Sequence, residues 1–492
     1  MKKLLLGIAI CLFFSVLTNA QIYMYGTTSE GGANGLGTIY RVNKNGQNFQ
    51  KLYDFSNSTG GAPYGGMTLA NNGKLYGFTT QGGQIVNSGA SLALGTFFQF
   101  DPLTNAYTVI EYIDDQSGIG NTFNNSPTLA ANGLLYFASE NNGLGGTEGV
   151  LSSFDPSTAT FSVLDTFLTT TTPKFGQPKS KLLYASDGNL YVTTYNGGGG
   201  NGAIVKYDIA LDQLSVIHSS SGPTNGSGTP EEYYRAVNNP LYEASNGVLY
   251  GASREGGLTF SQGMVFKINK DGTGFQKIKS FSSGLENLGW YPEGGFVEKN
   301  GLLYATTVQE DAEDVNSGTI YTIDISNNTL NFIYTLDLEG AQPQGTFVES
   351  SNGRLYVTCN GGPINTGSLI ELNPLNTSVT ERHTFGTANG TKPKHNELAI
   401  VDFSSLSIDK SSLLNNSIKI YPNPMKDVIN ITVEDSNQIE TIKILDLKGA
   451  ELFIDNSKEN KNAINTSFLS SGIYLLSVQT NFGNITRKIV KE

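Results

Sequence analysis

The chain has 492 residues, about three times the usual single-domain length, so it is either several domains or one large repeat architecture. Glycine contributes 58 residues, aromatics 10%, and charged residues only 15% against the usual figure of about 25%, a profile of many short strands and turns. The formal net charge of -12 argues against nucleic acid and anionic lipid as partners, because both require clustered Lys and Arg.

In chain order, Met1 to Ala20 read as a Sec leader: Lys2 and Lys3, an apolar run from Leu4 to Leu17, then the small-residue end Thr18-Asn19-Ala20. Cleavage is expected between Ala20 and Gln21. Cys11 leaves with the leader and Cys359 remains alone, so no intrachain disulfide forms and stability rests on the core. No later apolar run approaches 18 residues, so the mature chain is expected to have no transmembrane segment. Loss of Lys2 and Lys3 takes the charge from -12 to -14. The segment from Ser417 is balanced, nine basic against nine acidic, so the acidity belongs to residues 21–416.

From residue 21 to 403 an apolar residue followed by Tyr recurs at Tyr25, Tyr76, Tyr136, Tyr191, Tyr250, Tyr304 and Tyr356, spaced by 51 to 60 residues. Each unit holds four alternating apolar stretches, as in Gly66 to Ala70, Lys74 to Thr79, Thr96 to Phe100 and Tyr107 to Tyr112, which predicts four antiparallel strands, one propeller blade. Asn72-Gly73, Asn132-Gly133, Asp187-Gly188, Asn246-Gly247, Asn300-Gly301 and Asn352-Gly353 precede the second strands and are expected to form type I′ hairpin turns, with positive φ at both central residues. Two strands lack partners in sequence, Ile22 to Thr28 and Glu397 to Phe403. Pairing them closes a seven-bladed ring with no open edge. One proline per unit (Pro63, Pro127, Pro178, Pro240, Pro292, Pro343, Pro393) sits near a first strand, where a missing N–H is tolerated.

These units, with Leu-Tyr-Gly-x-Thr, then Gly-Gly, then Gly-x-Ile/Val/Phe-Tyr/Phe, resemble the GloVer-type tandem repeats of exported bacterial proteins and, more distantly, kelch blades. Tyr25 to Tyr40 and Tyr250 to Phe266 fit best. The resemblance implies a fold and no activity.

Ser404 to Asn416 is polar and reads as a linker. From residue 417 to 492, short alternating strands predict a small Ig-like sandwich. Tyr421-Pro422-Asn423-Pro424, Ile444 to Gly449, Leu469 to Tyr474 with Gly472 inside it, and Arg487-Lys488-Ile489-Val490-Lys491 resemble, in order, the type A C-terminal sorting domain of the type IX secretion system. That resemblance implies recognition by an outer-membrane translocon, cleavage near the linker, and release or attachment at the outer surface of a Gram-negative cell. An accessory module that binds something is the alternative.

The sequence singles out no catalytic residue, metal site or cofactor. His218, His383 and His395 lie in different units without ligand spacing, no Gly-x-Ser-x-Gly elbow occurs, and Gly197 to Gly202 lacks the Gly-Lys-Ser/Thr of a phosphate loop. Because strands alternate in direction, nearly all the long connections fall on one face of the disc. That face carries Tyr233, Tyr234, Arg235, Arg254, Trp290 and Tyr291, aromatics beside charge that suit a polysaccharide by stacking and hydrogen bonding. A surface-protein partner is equally open there, and the same aromatics are also read as packing loops onto the blades. The leading expectation is a secreted or surface binding protein. A glycan hydrolase or lyase using Asp114, Asp115, Glu231, Glu232, Glu286 or Asp311, and a structural surface-layer protein, are the alternatives.

Overall fold

The computed structural model describes residues 22–492 apart from 143–147, 168–174, 198–201, 221–233, 236–238, 257–261, 282–288, 311–316, 338–339, 404–417, 434–438, 448, 457–460 and 481–482. The expected leader with its Ala20–Gln21 junction, and all of the expected linker, lie outside them. No helix occurs among the described residues.

The chain up to Asp402 forms antiparallel sheets of four strands. Sheet I joins the two ends of this region: Ala399–Asp402 pairs with Ile22–Thr28, followed by Thr38–Asn43 and Gln50–Asp54. Sheet II is Thr68–Leu69, Leu75–Phe78, Ala93–Phe100 and Tyr107–Asp114, close to the strands expected. Sheet III runs from Thr128–Leu129 to Thr160–Thr166, sheet IV from Phe175–Pro178 to Gln213–Ser219, sheet V from Tyr242–Glu243 to Gln276–Ser280, sheet VI from Trp290–Lys299 to Thr329–Leu336, and sheet VII from Val348–Glu349 to Val379–Thr384. In sheet IV a further strand, Leu183–Tyr184, also pairs with Leu190–Gly197.

Each sheet is hydrophobic on both faces because it packs between two others. Tyr76, Phe97, Leu135 and Phe154 share a core between sheets II and III, and Tyr250, Val265, Leu303 and Tyr321 share one between V and VI. Met24, Tyr40, Tyr356 and Leu369 join VII back to I. The seven repeat tyrosines are buried in these layers, none more than 4% exposed. Every sheet also carries a register shift between its third and fourth strands, as at Phe97/Phe98 and Ile320/Tyr321, which strengthens the local twist.

The turns differ from expectation in an instructive way. Only Asn300-Gly301 has positive φ at both residues, joining Lys299 directly to Leu302. In the other five only the glycine is left-handed. There Gly73 N donates to Ala70 O and Ala70 N to Lys74 O, a longer loop in which Asn72 Oδ1 accepts from Lys74 N at 3.1 Å. Asn72 Nδ2 then donates to Tyr76 Oη at 2.9 Å, a bond repeated by Asn132 to Tyr136 and Asn352 to Tyr356. Asn is present for its side chain, which ties the turn to the repeat tyrosine.

The prolines also have a packing role. An added Cβ on Gly149, Gly263, Gly318 or Gly367 would lie 2.4 to 2.6 Å from the Cδ of Pro178, Pro292, Pro343 or Pro393 of the next sheet. At these four junctions the glycine at the start of the third strand and the proline at or near the next first strand are therefore one inter-sheet contact.

Residues 418–491 form two further sheets, Ile418–Tyr421, Val428–Val433 and Lys461–Asn465 in one, Ile439–Leu445, Glu451–Asp455, Gly472–Thr480 and Gly483–Lys491 in the other. Ile429, Ile431, Ile442, Ile444, Leu476 and Ile489 from both sheets share one core, which makes this a two-sheet sandwich.

Candidate ligand-binding site

The segments leading into the first strands set the site. In six of them the residue just before the strand approach, namely Ala62, Thr122, Gln177, Tyr291, Gln342 and Lys392, has φ between 50° and 65°, a left-handed conformation costly for any side chain but glycine. All but Thr122 precede a proline.

Further in, Ser126, Lys181, Pro240, Gly294, Thr346 and Glu397 line one cavity together with His395. They come from sheets III, IV, V, VI, VII and I, so the cavity lies where the sheets converge. Lys181 Nζ and Glu397 Oε2, from sheets IV and I, meet across it at 2.6 Å. About 10 Å3 is left, room for about one water.

Beside this closed centre, sheets V and VI form an open corner. Arg254 follows the strand Leu249–Ser253, and its guanidinium sits 5.2 Å from the Tyr291 ring centroid. Trp290 meets Tyr291 edge-on at 6.4 Å. Both aromatic residues are partly exposed. Tyr291 N donates to Gln262 O at 2.9 Å, which anchors the segment to sheet V. Tyr234 and Arg235 pair through their backbones with Gly256 and Glu255, next to Arg254. Four of the six residues singled out in the sequence thus lie along one junction by backbone position or contact. A fifth, Arg235, pairs beside them, while Tyr233 and the side chains of Tyr234 and Arg235 lie outside what is described.

Beneath the corner lies a residue that the sequence reading passed over. Glu293 is 1% exposed and accepts a hydrogen bond from Arg254 Nη1, with the Gln344 side chain also beside its carboxyl. Burial pushes its carboxyl above the usual range and outweighs the opposing pull of Arg254. His395 is pushed down to about 4, chiefly by burial, with Arg254 and Lys394 adding to the effect. Aligning the units residue by residue was the available signal: Glu293 and His395 occupy the place of Tyr64, just before two glycines in sheet II.

Other candidates are consumed by structure. Asp114, fully buried, accepts from Val86 N, Asn87 N, Asn87 Nδ2 and Gln116 N, and Asp115 from Ser91 N and Oγ, so both anchor loops, and these bonds hold both carboxyls below their usual range. Glu231, Glu232, Glu286 and Asp311 lie outside the described residues. His218 stacks on Phe275 at 4.2 Å and His383 on Phe49 at 3.9 Å, both half-buried. Cys359 is buried, and its thiol is pushed up by that burial.

In the C-terminal sandwich the separated motif pieces form one clasp. Asn423 Nδ2 donates to Lys488 O at 3.0 Å while Asn423 Oδ1 accepts from Val490 N at 2.8 Å. Lys491, 8% exposed, donates to Lys426 O and to Asp427 Oδ1 at 3.1 Å. Tyr474 Oη bonds Ser470 O at 2.8 Å, and Gly449 takes the left-handed turn position of the hairpin at Asp446. Tyr421 is exposed at the edge of the smaller sheet.

Fold and motifs together define an all-β repeat protein that carries an export tag. The chain belongs to the Gloeobacter/Verrucomicrobia repeat family, whose model matches residues 14–177, 123–337 and 177–405. Residues 419–492 match the secretion system C-terminal sorting domain, which marks the protein for recognition by the type IX secretion system and for export to the surface or medium of a Bacteroidetes-type Gram-negative bacterium. Among solved structures, the periplasmic gluconolactonase of Pseudomonas aeruginosa is 16% identical, with a TM-score of 0.51 over 77% of this chain and 99% of that one. A putative 6-phosphogluconolactonase of Bacteroides fragilis is 15% identical, with a TM-score of 0.48 over 79% and 99%. PorZ, a type IX secretion component of Porphyromonas gingivalis, is 13% identical, with a TM-score of 0.45 over 93% of this chain and 63% of its own. The first of these likenesses supports a propeller-like fold and nothing about activity. No curated protein sequence matches the chain.

Proposed function

We propose that the protein is an exported glycan-binding protein: a seven-bladed β-propeller over residues 21–403, made with a leader that is removed and followed by a linker and an Ig-like sorting domain, which binds its ligand at the corner between sheets V and VI. The observation carrying this reading is the convergence of Arg254, Tyr291 and Trp290, partly exposed, on a rigid junction of two sheets. Such a surface offers stacking faces with a fixed hydrogen-bond donor beside them. The test is a polysaccharide pull-down and glycan array with the mature protein. Trp290→Ala is expected to weaken binding at least ~10-fold, as loss of one stacking ring costs on the order of 1.4 kcal/mol or more. Retained binding in that variant would place the ligand elsewhere, and no binding to any glycan would overturn the reading.

A further inference from the structure

The corner also indicates which glycans it would take. Arg254 is held in one orientation from two sides, by the Tyr291 ring over its face and by Glu293 on Nη1. Its side chain nevertheless stays 40% exposed, whereas that of Glu293 is 0% exposed. The remaining guanidinium N–H groups have no partner among the described residues. Glu293 can therefore fix the arginine but cannot meet a ligand from solvent. The chemistry this corner turns outward is a pre-oriented cationic fork beside the Trp290 and Tyr291 rings.

A guanidinium fixed in this way matches a planar carboxylate through two parallel N–H···O bonds, a match that a sugar hydroxyl does not make. Resting on the glycan-binding reading above, we infer that the ligand is an acidic glycan, a uronate-bearing polysaccharide whose carboxylate sits on Arg254 while a sugar ring stacks against Trp290 or Tyr291. The -12 charge of the whole chain opposes such a ligand at long range, so the contact must be local, through directed bonds.

The experiment compares alginate with carboxyl-reduced alginate, and includes a neutral β-glucan, against the whole mature protein. Wild type is expected to bind alginate at least ~10-fold more tightly than its carboxyl-reduced form. Arg254→Lys, which keeps the charge but loses the fork, should erase most of that preference, whereas Trp290→Ala should weaken both polymers alike. The wild-type comparison stands by itself if the arginine variant folds poorly. Equal binding of the two alginates, still weakened by Trp290→Ala, would overturn the acidic-ligand inference and leave the glycan site intact. Absence of binding to all three polymers would overturn both.

Discussion

At the residue scale, His383 shows how burial becomes acid sensitivity. The ring stacks on Phe49, meets Phe385 edge-on at 5.0 Å, and leaves Nε2 without a partner among the described residues. Burial lowers it from an ordinary 6.5 to about 4. The unfolded chain therefore takes up a proton below pH 6.5 that the folded protein refuses until about pH 4, and stability falls across that window as pH drops. His395 acts in the same direction. Glu293 acts oppositely: its raised carboxyl favours the folded state as pH falls through its own titration. His383→Phe keeps the stack and removes the proton site. Its melting temperature should exceed that of wild type by a margin that grows from pH 7 to pH 4, and a constant margin would contradict the assignment. At the turns, Asn132→Ala removes both the bond to Tyr136 Oη at 2.8 Å and the cap on Leu134 N. A loss of about 1 to 2 kcal/mol is expected in urea unfolding, the ordinary value for such hydrogen bonds.

Among the strands and turns, contacts between sheets matter more than propensity. Gly149→Ala would set a Cβ 2.2 Å from Ser139 O and 2.5 Å from Pro178 Cδ, so it must push sheets III and IV apart. It should cost at least about 1 to 3 kcal/mol, the usual price of overpacking, and more than the same change at Gly118, which has open space around it and no left-handed φ. At the closing sheet, Leu398 is 3% exposed and packs with Tyr356 and Leu369 of sheet VII, so Leu398→Ala should lose about 2 to 5 kcal/mol. The four strands per unit and the pairing of Ile22–Thr28 with Ala399–Asp402 were legible because alternation, turn residues and two unmatched strands all pointed the same way. The turn type was not legible. Asn is acceptable both as a left-handed residue and as a side-chain cap, and only the register separates the two. The contact between each glycine and the next proline was equally hidden, since it joins residues about 25 to 30 positions apart on different sheets.

Considered as a whole, the molecule sets a site legible by residue type beside one that was not. Arg254, Trp290 and Tyr291 drew notice because aromatics and charge on long loops are conspicuous. Glu293 and Lys181 each needed a partner from another sheet to become visible. In the sorting domain, the Tyr421 to Pro424 motif and the closing Lys488 to Lys491 looked like separate marks, yet Asn423 bonds the last strand from both its amide ends. Asn423→Ala should therefore lower the melting temperature of the sandwich as well as reduce export, and loss of export with unchanged melting would instead assign Asn423 to direct contact with the secretion machinery.

The joining of Ile22–Thr28 to Ala399–Asp402 makes the completion of sheet I depend on the end of its region. The strand that seals sheet I is among the last of its region to be made, and the export address comes after it. A polypeptide broken off during synthesis at any earlier point lacks the seal and the address together. A chain that presents the sorting domain has therefore already made the strand that seals sheet I.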